Sequence, residues 1–479
     1  MLLRHLTHDT NLIRSRFMSH SRLIRRGPVL VGLCVVLTAA QNRCNSGVPG
    51  ESPPQASAAK PVEVHNGDVA ATTPAGRTQG PLVIPQPAPF TPVAVGKAAQ
   101  TAFMNGSART AWRYVSREMT KAGFVGATRN YPFLTVWDMG STLGAAYSAR
   151  ELGLIDNARY KDIVSRALST MERMPLYDDV AFNRMYSAVS GAMVNSKAEP
   201  TTTGMGFSTL DHGRLLIWLK LVGADDPALA PRTQKIVSRL NMSRLVRGGY
   251  LLGEEILANR GGHRAYQEGR VGYEQYAAEG FALWGAKVDS ALDFSVNGRP
   301  VNVYGQTLVT DARGGDVMTS EPFVMMGLEL GWQNPTWRNL ALAVLAAQEA
   351  RYERTGLVTM VSEDAIPVPP AYFYYYLLYR DGKPFVVTTV SGVANDAFPR
   401  WVSAKAAFGY HALSPSDYTW RALQTVKYAG MQDGWTAGVF EGTRNPTKTF
   451  NLNTAAVVLE SAAYMKRGCA FVQRSCANR

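Results

Sequence analysis

The strongest constraint on the fold is a regular alternation between two kinds of helical segment. Every second segment opens with a polar residue and then stays apolar; the six are "WDMGSTLGAAYSA", "LDHGRLLIWLKLV", "YEQYAAEGFALWG", "SEPFVMMGLELG", "WVSAKAAFGYHAL" and "NLNTAAVVLESAAY". The segments between them, such as "NARYKDIVSRALSTMERM", are apolar on one face only. A helix that is apolar all round is buried, whereas an amphipathic helix lies at the surface. We therefore expect buried helices covered by amphipathic ones.

The hydrophobic periodicity predicts about twelve helical segments. They lie roughly at 98–122, 137–152, 157–173, 208–223, 230–246, 273–287, 321–332, 335–353, 369–379, 400–410, 416–430 and 450–466. The region 288–318 and the stretch "GKPFVVTTVSG" predict minor hairpins or loops. The polar openings lie near positions 138, 211, 274, 321, 401 and 451, so a helix pair recurs about every sixty residues.

Six such pairs are typical of an all-α (α/α)6 toroid, in which an outer ring of helices wraps an inner ring. In a closed ring the inner helices all start at the same end. The six polar openings are then expected to line one cavity. An open helical array with the same pairing is the alternative, because the spacing does not show that the ring closes.

The first 40 residues have the pattern of an export signal. They carry six arginines and then the run "PVLVGLCVVLTAA", which is short for a membrane span and ends in small residues. We expect a signal peptide over 1–40, with a retained N-terminal anchor as the alternative. Residues 41–96 are rich in proline and alanine, which predicts a disordered or extended linker before a toroid domain over 97–479. The expected location is periplasmic or otherwise exported, or membrane-anchored by the N-terminal segment.

The composition favours a globular, exported protein and argues against several function classes. The formal net charge is +13, but the basic residues are scattered and no nucleic-acid-binding motif is present. There is no HExxH pair, G-x-S-x-G elbow or P-loop, so we expect no metal site and no obligatory cofactor. No integral membrane domain is expected beyond the leader, and the oligomeric state is left open. Cys469 and Cys476 either close a small disulfide loop or remain free thiols.

Carboxylates at the helix openings are the candidates for chemistry. The five candidate catalytic residues are Asp138, Asp211, Glu274, Glu321 and Glu441. Glycoside hydrolysis needs two carboxyl groups, one protonated as acid and one ionised as base or nucleophile. Helix capping is the alternative explanation, since an acid near a helix N-terminus interacts favourably with exposed N–H groups and with the helix dipole.

Capping explains some of these carboxylates better than others. Asp138 and Asp211 each follow a Ser or Thr by three residues, as in a capping box. Asp417 fits the same pattern with Ser414, and for this residue we favour the cap. Glu321 precedes Pro322, which suits the first helical position, so Glu321 would occupy a cap position that glutamate does not prefer. Glu321 is therefore the acid that capping explains least well.

Aromatic and amide side chains near these acids are candidates for sugar binding. A sugar ring is bound by a flat stacking face together with donors and acceptors for its hydroxyls. The candidate substrate-binding residues are Trp137, Tyr273, Asp417, Trp435, Arg444, Asn451 and Asn453. The aromatic run "PPAYFYYYLLYRDG" is interpreted as a buried seam, and Glu363 and Asp364 are placed in a loop.

Several motifs together resemble the bacterial family called domain of unknown function 3131. They are "WDMGSTLGA", "LDHGRLLIWL", "GYEQYAA", "TSEPFV", "SPSDYTWRAL", "GVFEGTRNPT" and "FNLNTAAVVLESAAY", and the resemblance covers about 97–470. It implies an export-associated helical toroid, distantly similar to glycoamylase-like domains and β-1,2-glucanases. By analogy with glucoamylase-type toroids, the acid comes from the loop holding Glu254 or Glu255, with Glu274 just beyond, and the base from the loop holding Glu441.

The sequence thus predicts an exported protein that binds carbohydrate and is a glycoside hydrolase acting on a bacterial poly- or oligosaccharide. Glu274 or Glu321 is expected as general acid, with Glu441 or Asp138 as base. One alternative is a non-catalytic glycan-binding or polysaccharide-export component. The other is a polysaccharide lyase, in which the relevant residues would be Tyr273, His212 and Arg214.

Overall fold

The protein is described by a computed structural model that covers residues 82–257, 262–313, 317–474 and 476. Within these residues the helices are α1 Lys97–Glu118, α2 Val136–Glu151, α3 Asn157–Arg173, α4 Thr209–Asp225, α5 Ala230–Val237, α6 Met242–Leu245, α7 Tyr273–Ala282, α8 Asp289–Leu292, α9 Glu321–Met325, α10 Pro335–Thr355, α11 Ala404–Leu413, α12 Asp417–Val426 and α13 Leu452–Arg467. A π-helical turn, Met326–Leu330, continues α9.

Short strands join these helices at many points. The strands are β1 Phe133–Thr135, β2 Leu176–Tyr177, β3 Ala181–Phe182, β4 Met185–Ser187, β5 Gly206–Phe207, β6 Val246–Arg247, β7 Tyr250–Leu257, β8 Gly262–Gln267, β9 Gly298–Val303, β10 Gln306–Asp311, β11 Glu363–Val368, β12 Ala371–Arg380, β13 Lys383–Thr389, β14 Trp401–Ser403, β15 Gly430–Met431, β16 Gly434–Trp435 and β17 Gly438–Phe440. Among the described residues the strands pair antiparallel, and the largest sheets are β5–β7–β6 with β8, and β11–β12–β13.

Six helices form a closed inner ring. In chain order they are α2, α4, α7, α9, α11 and α13; each packs against the next, and α13 packs against α2. All six are the apolar segments that the sequence alternation predicts to be buried. The ring therefore closes, which the sequence left open against an open array.

The remaining longer helices form an outer layer on this ring. Helix α1 packs on α13, α3 on α2, α5 on α4 and α12 on α11. Helix α10 meets α9 through Trp337 and Phe323, whose ring centroids are 5.6 Å apart. Helix α3 buries one face and exposes the other, as expected of an outer helix.

Small residues let the inner helices approach each other closely. A Cβ added at Gly213 in α4 would lie 2.4 Å from the Cα of Ala277 in α7, and one at Gly280 would lie 2.1 Å from the carbonyl oxygen of Gly213. Between α11 and α9, a Cβ at Gly409 would lie 2.1 Å from Cγ1 of Val324. Larger residues at these crossings would force the helices apart, because protein interiors are close-packed.

The strand content departs from the all-α expectation, which is not confirmed. The segment 369–379, predicted as a helix, is strand β12. Its run of tyrosine and phenylalanine favours a strand because aromatic side chains fit a pleated, half-buried surface. Glu363 and Asp364, placed in a loop by the sequence, lie in β11 and pair with β12. The expected hairpin within 288–318 is confirmed as β9–β10, and "GKPFVVTTVSG" contains β13.

The chain after α13 packs against the end of the ring at which the inner helices finish. Phe471 is buried between Tyr147 and Trp218, with ring centroids 5.6 Å and 5.5 Å away. Its backbone N–H donates to the Leu328 carbonyl, and the next N–H donates to the Glu329 carbonyl. These two carbonyls belong to the π-helical turn. A disulfide joins Cys469 to Cys476 across this segment.

The end of the proposed linker is part of the folded body. Residues 82–96 contain no helix or strand but make defined contacts: Asn339 donates to the Ile84 carbonyl, and Asp417 in α12 accepts from the Ala94 N–H at 3.2 Å. This stretch is therefore extended rather than disordered. The expected signal peptide, 1–40, lies outside the described residues. No helix among those described is long and apolar enough to cross a membrane.

The close crossing of α4 and α7 gives a stability prediction. Gly213→Ala should lower the free energy of unfolding by about 1–3 kcal/mol, because the added methyl overpacks the crossing. Gly106→Ala, in outer helix α1, is the matched control: the nearest atom to the added Cβ is 3.9 Å away, so it should raise stability by about 0.5–1 kcal/mol. Urea unfolding checks both. An unchanged or raised stability in Gly213→Ala would contradict the close contact.

Candidate active site

The first turns of the six inner helices meet at one end of the ring. We call this end the mouth and define it by one residue from each helix: Asp138, Asp211, Glu274, Glu321, Lys405 and Asn453. All except Asn453 are at most 4% exposed. Burying this many charged groups is costly unless they are paired or hydrogen-bonded, so their partners determine what the site can do.

Glu321 is the most heavily hydrogen-bonded carboxylate of the mouth. Its Oε2 accepts from Lys405 Nζ at 2.7 Å and from the Tyr273 hydroxyl at 3.2 Å. Its Oε1 accepts from the Asn453 side-chain amide. These donors come from three different inner helices, so the carboxylate is held from three sides. Hydrogen bonds to a carboxylate stabilise its ionised form.

Strand β11 adds two carboxyls that the sequence placed outside the site. Lys405 Nζ also donates to the Glu363 carbonyl oxygen at 2.7 Å and lies 3.4 Å from Asp364 Oδ1. The Trp401 indole donates to Asp364 Oδ2 at 2.8 Å. Burial raises the pKa of Asp364 to about 6, and burial together with the charge of Glu321 raises the pKa of Glu363 well above its usual value. The sequence placed both residues in a loop, with a solvated turn as the default and a subsite acid as the alternative, because it did not indicate strand β11.

Asp138 and Asp211 lie beside the caps of their helices and also belong to the mouth. Asp138 and Thr135 form a capping box, whereas α4 is capped by Ser208, whose hydroxyl accepts from the Asp211 N–H at 3.2 Å. Burial raises the pKa of Asp138 to about 6 and that of Asp211 well above its usual value. Asp138 therefore combines capping with a position in the mouth, so these two explanations do not exclude each other.

Glu268, just before α7, is a mouth-side carboxyl that the sequence analysis did not single out. Its Oε2 accepts from the Thr209 hydroxyl at 2.8 Å and lies in the same buried region as Asp211 and Arg184. Burial raises its pKa, and its charge raises that of Asp211. Glu268 lies in the segment between the outer helix α5 and the inner helix α7, where the analogy with toroids placed Glu254 or Glu255. The glutamate of that segment that reaches the mouth is therefore Glu268.

Glu274 occupies the mouth but is paired with an arginine. Its Oε2 accepts from Arg313 at 2.6 Å, and its Oε1 accepts from the Gln267 amide at 2.7 Å. Arg313 also contacts Asp311 at 2.6 Å. Burial raises the pKa of Glu274 to about 7 although the Arg313 interaction opposes this.

Tyr375 links the carboxyls of the mouth. Burial raises the pKa of its hydroxyl, and four carboxyls add to the effect: Glu363, Glu321, Asp211 and Glu268. Two of these belong to the Lys405 side of the mouth and two to the Arg184 side. The Tyr375 hydroxyl therefore lies within electrostatic range of both sides. Trp137, next to Tyr273 with ring centroids 6.1 Å apart, keeps its indole N–H without a partner.

Below the mouth, a second group of charges lies inside the ring. Arg214 contacts Glu460 at 3.0 Å and Glu329 at 3.5 Å, and all three side chains are fully buried. Glu329 lies in the π-helical turn and accepts from the Tyr276 hydroxyl at 2.6 Å and from the Trp218 indole at 3.1 Å. Burial raises the pKa of Glu460 to about 8.

The three residues proposed for a lyase are not assembled into one site. His212 is fully buried, its Nε2 accepts from the Phe182 N–H at 3.1 Å, and burial lowers its pKa to about 4. Arg214 belongs to the interior group. Tyr273 contacts Glu321 in the mouth, and burial raises its pKa well above the usual value, which disfavours a tyrosinate base.

Three further sequence-predicted residues have partners outside the six residues that define the mouth. Glu441, at the end of β17, forms a two-pronged ion pair with Arg351 at 2.5 and 2.9 Å. Trp435 is buried against α1, where its indole donates to the Ser107 carbonyl. Asn451 caps α13 by accepting from the Thr454 N–H. Glu441 was expected in the cavity because the sequence does not show Arg351 as its partner.

Two further predicted residues lie at the protein surface. Arg444 is exposed and stacks over Tyr428 with its guanidinium 5.4 Å from the ring centroid. Asp417 is at the start of outer helix α12, where it contacts the segment 82–96. Its predicted pairing with Ser414 is wrong, because Ser416 is the cap and forms the capping box with Thr419.

Glu254 and Glu255 lie in β7, not in a loop. Glu254 accepts from Tyr177 at 3.0 Å and from Arg244 at 2.7 Å. No cluster of histidine, cysteine or acidic residues with metal-binding geometry occurs among the residues that the structure describes. A cavity of about 380 Å³ on the outer surface, beside Arg166 and Arg173, shares no residue with the mouth.

A closed ring of six inner helices inside a second helical layer is the architecture of (α/α)6 toroids, and the described strands are additions to it. The chain belongs to the family described as "Protein of unknown function (DUF3131)", which matches residues 106–468. The resemblance to this family is thereby confirmed. No curated protein matches the sequence significantly.

Solved structures with a similar fold include β-1,2-glucanases. The endo-β-1,2-glucanase from Chitinophaga pinensis, in complex with sophorotriose and glucose, has a TM-score of 0.54 and 12% identity over 78% of this chain and 96% of its own. The β-1,2-glucanase from Parabacteroides distasonis has a TM-score of 0.52 and 12% identity over 76% of this chain and 57% of its own. At this identity the likeness shows a shared fold only.

The interior charges predict a pH effect on stability. The pKa of Glu460 in the folded protein is about 8, against an ordinary value of 4.5, so folding favours the protonated carboxyl. This contribution is complete below about pH 4.5 and is lost as the pH rises to about 8, at roughly 1 kcal/mol per pH unit. Glu460→Gln should therefore show a shallower decline in unfolding free energy from pH 5 to 8.

Urea unfolding of the wild type and Glu460→Gln over this pH range measures the effect. Asp396→Asn, a change of an 83% exposed carboxylate, is the matched control and should follow the wild-type profile. Parallel profiles for the wild type and Glu460→Gln would show that this carboxyl does not gain a proton on folding.

Proposed function

We propose that the protein is a glycoside hydrolase that cleaves a bacterial poly- or oligosaccharide at the mouth of the ring. The observation that carries this proposal is the arrangement around Tyr375. The Tyr375 hydroxyl interacts electrostatically with Asp211 and Glu268, two buried carboxyls with raised pKa values, and with Glu321, which accepts from three donors. Glycosidases need such a combination of a protonated and an ionised carboxyl group.

The general acid is assigned to the Asp211–Glu268 side. Burial favours the protonated form of both carboxyls, and the charge of Glu268 adds to the effect on Asp211, so we expect the pair to hold a proton near neutral pH. We assign the acid to Glu268, because it lies in the segment between α5 and α7 from which the analogy with glucoamylase-type toroids expects the acid. A proton held here can be delivered to the glycosidic oxygen of the leaving group.

The ionised partner is assigned to Glu321. The ammonium of Lys405, the Tyr273 hydroxyl and the Asn453 amide all donate to its carboxylate. An ionised carboxylate either activates water or attacks the anomeric carbon directly, according to its distance from the acid. The sequence suggested Glu321 as a general acid, whereas this assignment makes it the base or nucleophile. Glu441, which the sequence suggested as a base, remains in its ion pair with Arg351.

A bacterial glucan is the first substrate class to test, because the structural relatives include proteins described as β-1,2-glucanases. The buried indole N–H of Trp137 and the Asn453 side-chain oxygen lack partners and are suited to sugar hydroxyls. Export to the periplasm through the N-terminal segment accords with such a substrate.

A second candidate function is glycan binding without catalysis, as a component of polysaccharide export. One observation favours it: the mouth carboxyls are buried, and Glu321 is hydrogen-bonded to protein groups at both oxygens. A catalytic site must admit its substrate to these groups. The two candidates therefore differ in whether the glycan reaches Glu321.

Glu321→Gln and Glu268→Gln should each lower kcat/KM by at least about 100-fold, because each removes one half of the acid–base pair. The measurement uses purified protein and a panel of bacterial glucans and uronate polymers, with reducing ends and the absorbance of unsaturated products as readouts. Glu441→Gln is the matched control, since it changes a largely buried carboxylate that is ion-paired with Arg351 and is not one of the mouth residues. Its activity should stay within a few-fold of wild type.

Each outcome of this experiment discriminates between functions. Loss of reducing-end production in Glu321→Gln and Glu268→Gln, but not in Glu441→Gln, supports the proposal. Unsaturated products identify a lyase. Glycan binding by the wild type with neither product supports the non-catalytic function, and equal activity in Glu321→Gln and wild type contradicts the assignment of Glu321.

A further inference from the structure

Lys405 is a buried cation that the sequence gave no reason to single out. It is the second residue of α11, it is 3% exposed, and it lies among the carboxyls of the mouth. Removing an ammonium group from water costs several kcal/mol, so its retention requires compensating partners. These partners are all on the Glu321 side of the mouth.

Lys405 contacts one carboxylate of the mouth and two groups of strand β11. Nζ donates to Glu321 Oε2 at 2.7 Å and to the backbone carbonyl of Glu363 at 2.7 Å, and it lies 3.4 Å from Asp364 Oδ1. The Glu363 carbonyl is part of strand β11, and Asp364 is itself held by the Trp401 indole. The ammonium is therefore anchored to a backbone carbonyl of the strand while it donates to Glu321.

We propose that Lys405 is a positioning residue that holds the Glu321 carboxylate in an ion pair and in the orientation needed for the reaction. This inference rests on the proposed function of Glu321 as the ionised partner. Lys405 touches no substrate atom in this assignment, since it acts through Glu321.

Charged and titratable groups from every element packed around Glu321 interact with it electrostatically. The titratable and charged groups that interact with it are Asp138 on α2, Arg214 on α4, Tyr273 on α7, Glu363 and Asp364 on β11, Tyr375 on β12, Lys405 on α11 and Glu460 on α13. Two are cations, and Arg214 is already shared between Glu329 and Glu460. Lys405 is thus the cation in direct contact with Glu321.

Lys405→Met removes this charge at nearly constant side-chain length. The protonation midpoint of the Glu321 carboxyl should then move up by about one pH unit or more, because an adjacent opposite charge stabilises the ionised form by that order. The acid limb of the kcat/KM profile should move in the same direction. Lys405→Arg retains the charge and should keep the acid limb at its wild-type pH. Asp364→Asn removes a competing carboxylate and should move the acid limb to lower pH.

The carboxyl titration is measured directly by NMR on protein carrying ¹³C-labelled glutamate, with Glu321→Gln identifying the resonance. This readout does not depend on catalysis. If the wild type hydrolyses no glycan but Lys405→Met shifts the Glu321 titration, the proposed function fails and the role of Lys405 stands. If the titration and the acid limb stay in place while activity falls equally at every pH, Lys405 has only a packing role and the inference is overturned.

Lys405→Arg and Asp364→Asn keep the test decisive if Lys405→Met does not fold, as checked by thermal unfolding. A downward shift in Asp364→Asn with a wild-type profile in Lys405→Arg supports the inference. Unchanged titration of Glu321 in Asp364→Asn contradicts an electrostatic network centred on Lys405.

Discussion

Close contact between inner helices is the constraint on which the rest of the structure depends. Six helices form a closed ring only if each backbone comes near both neighbours, and Gly213, Gly280 and Gly409 permit this at the crossings of α4 with α7 and of α9 with α11. Since the ring is narrow, the first turns of its helices lie close together. Polar residues that would be separate helix caps in an open array therefore become one cluster of interacting charges.

Crowding of these charges explains the electrostatics of the mouth. Burial raises the pKa values of most of its carboxyls, so part of the cluster is neutral near pH 7. Among the remaining charges, Lys405 favours ionisation of Glu363 and Asp364, and Arg184 favours ionisation of Asp211 and Glu268. A similar arrangement recurs below, where one arginine lies between Glu329 and Glu460. The interior of the ring thus contains few net charges despite its many ionisable groups.

Helix periodicity was sufficient to predict the paired helices, but neither the closure of the ring nor everything that lines it. The six apolar segments and the carboxylates at their openings, Asp138, Asp211, Glu274 and Glu321, follow from pattern and spacing, because each is a local property of one helix. Lys405 and Glu268 were missed, and Glu363 was placed in a loop, for the opposite reason. Their importance comes from contacts between segments far apart in the chain, and nothing in the local sequence around a lysine indicates a carboxylate 84 residues away. The ion pair of Glu441 was missed by the same limit, since its partner Arg351 lies 90 residues before it.

The extended segment 82–96 changes where the folded unit begins. The family match starts at residue 106 and the first helix at Lys97, yet Ile84 is buried and Thr91 and Ala94 hydrogen-bond to Asp417 on α12. A fragment cut at the homology boundary would uncover the apolar surface under Ile84 and leave Asn339 without its acceptor. For expression and crystallisation, the segment that the family model matches is therefore shorter than the segment that packs as one folded body.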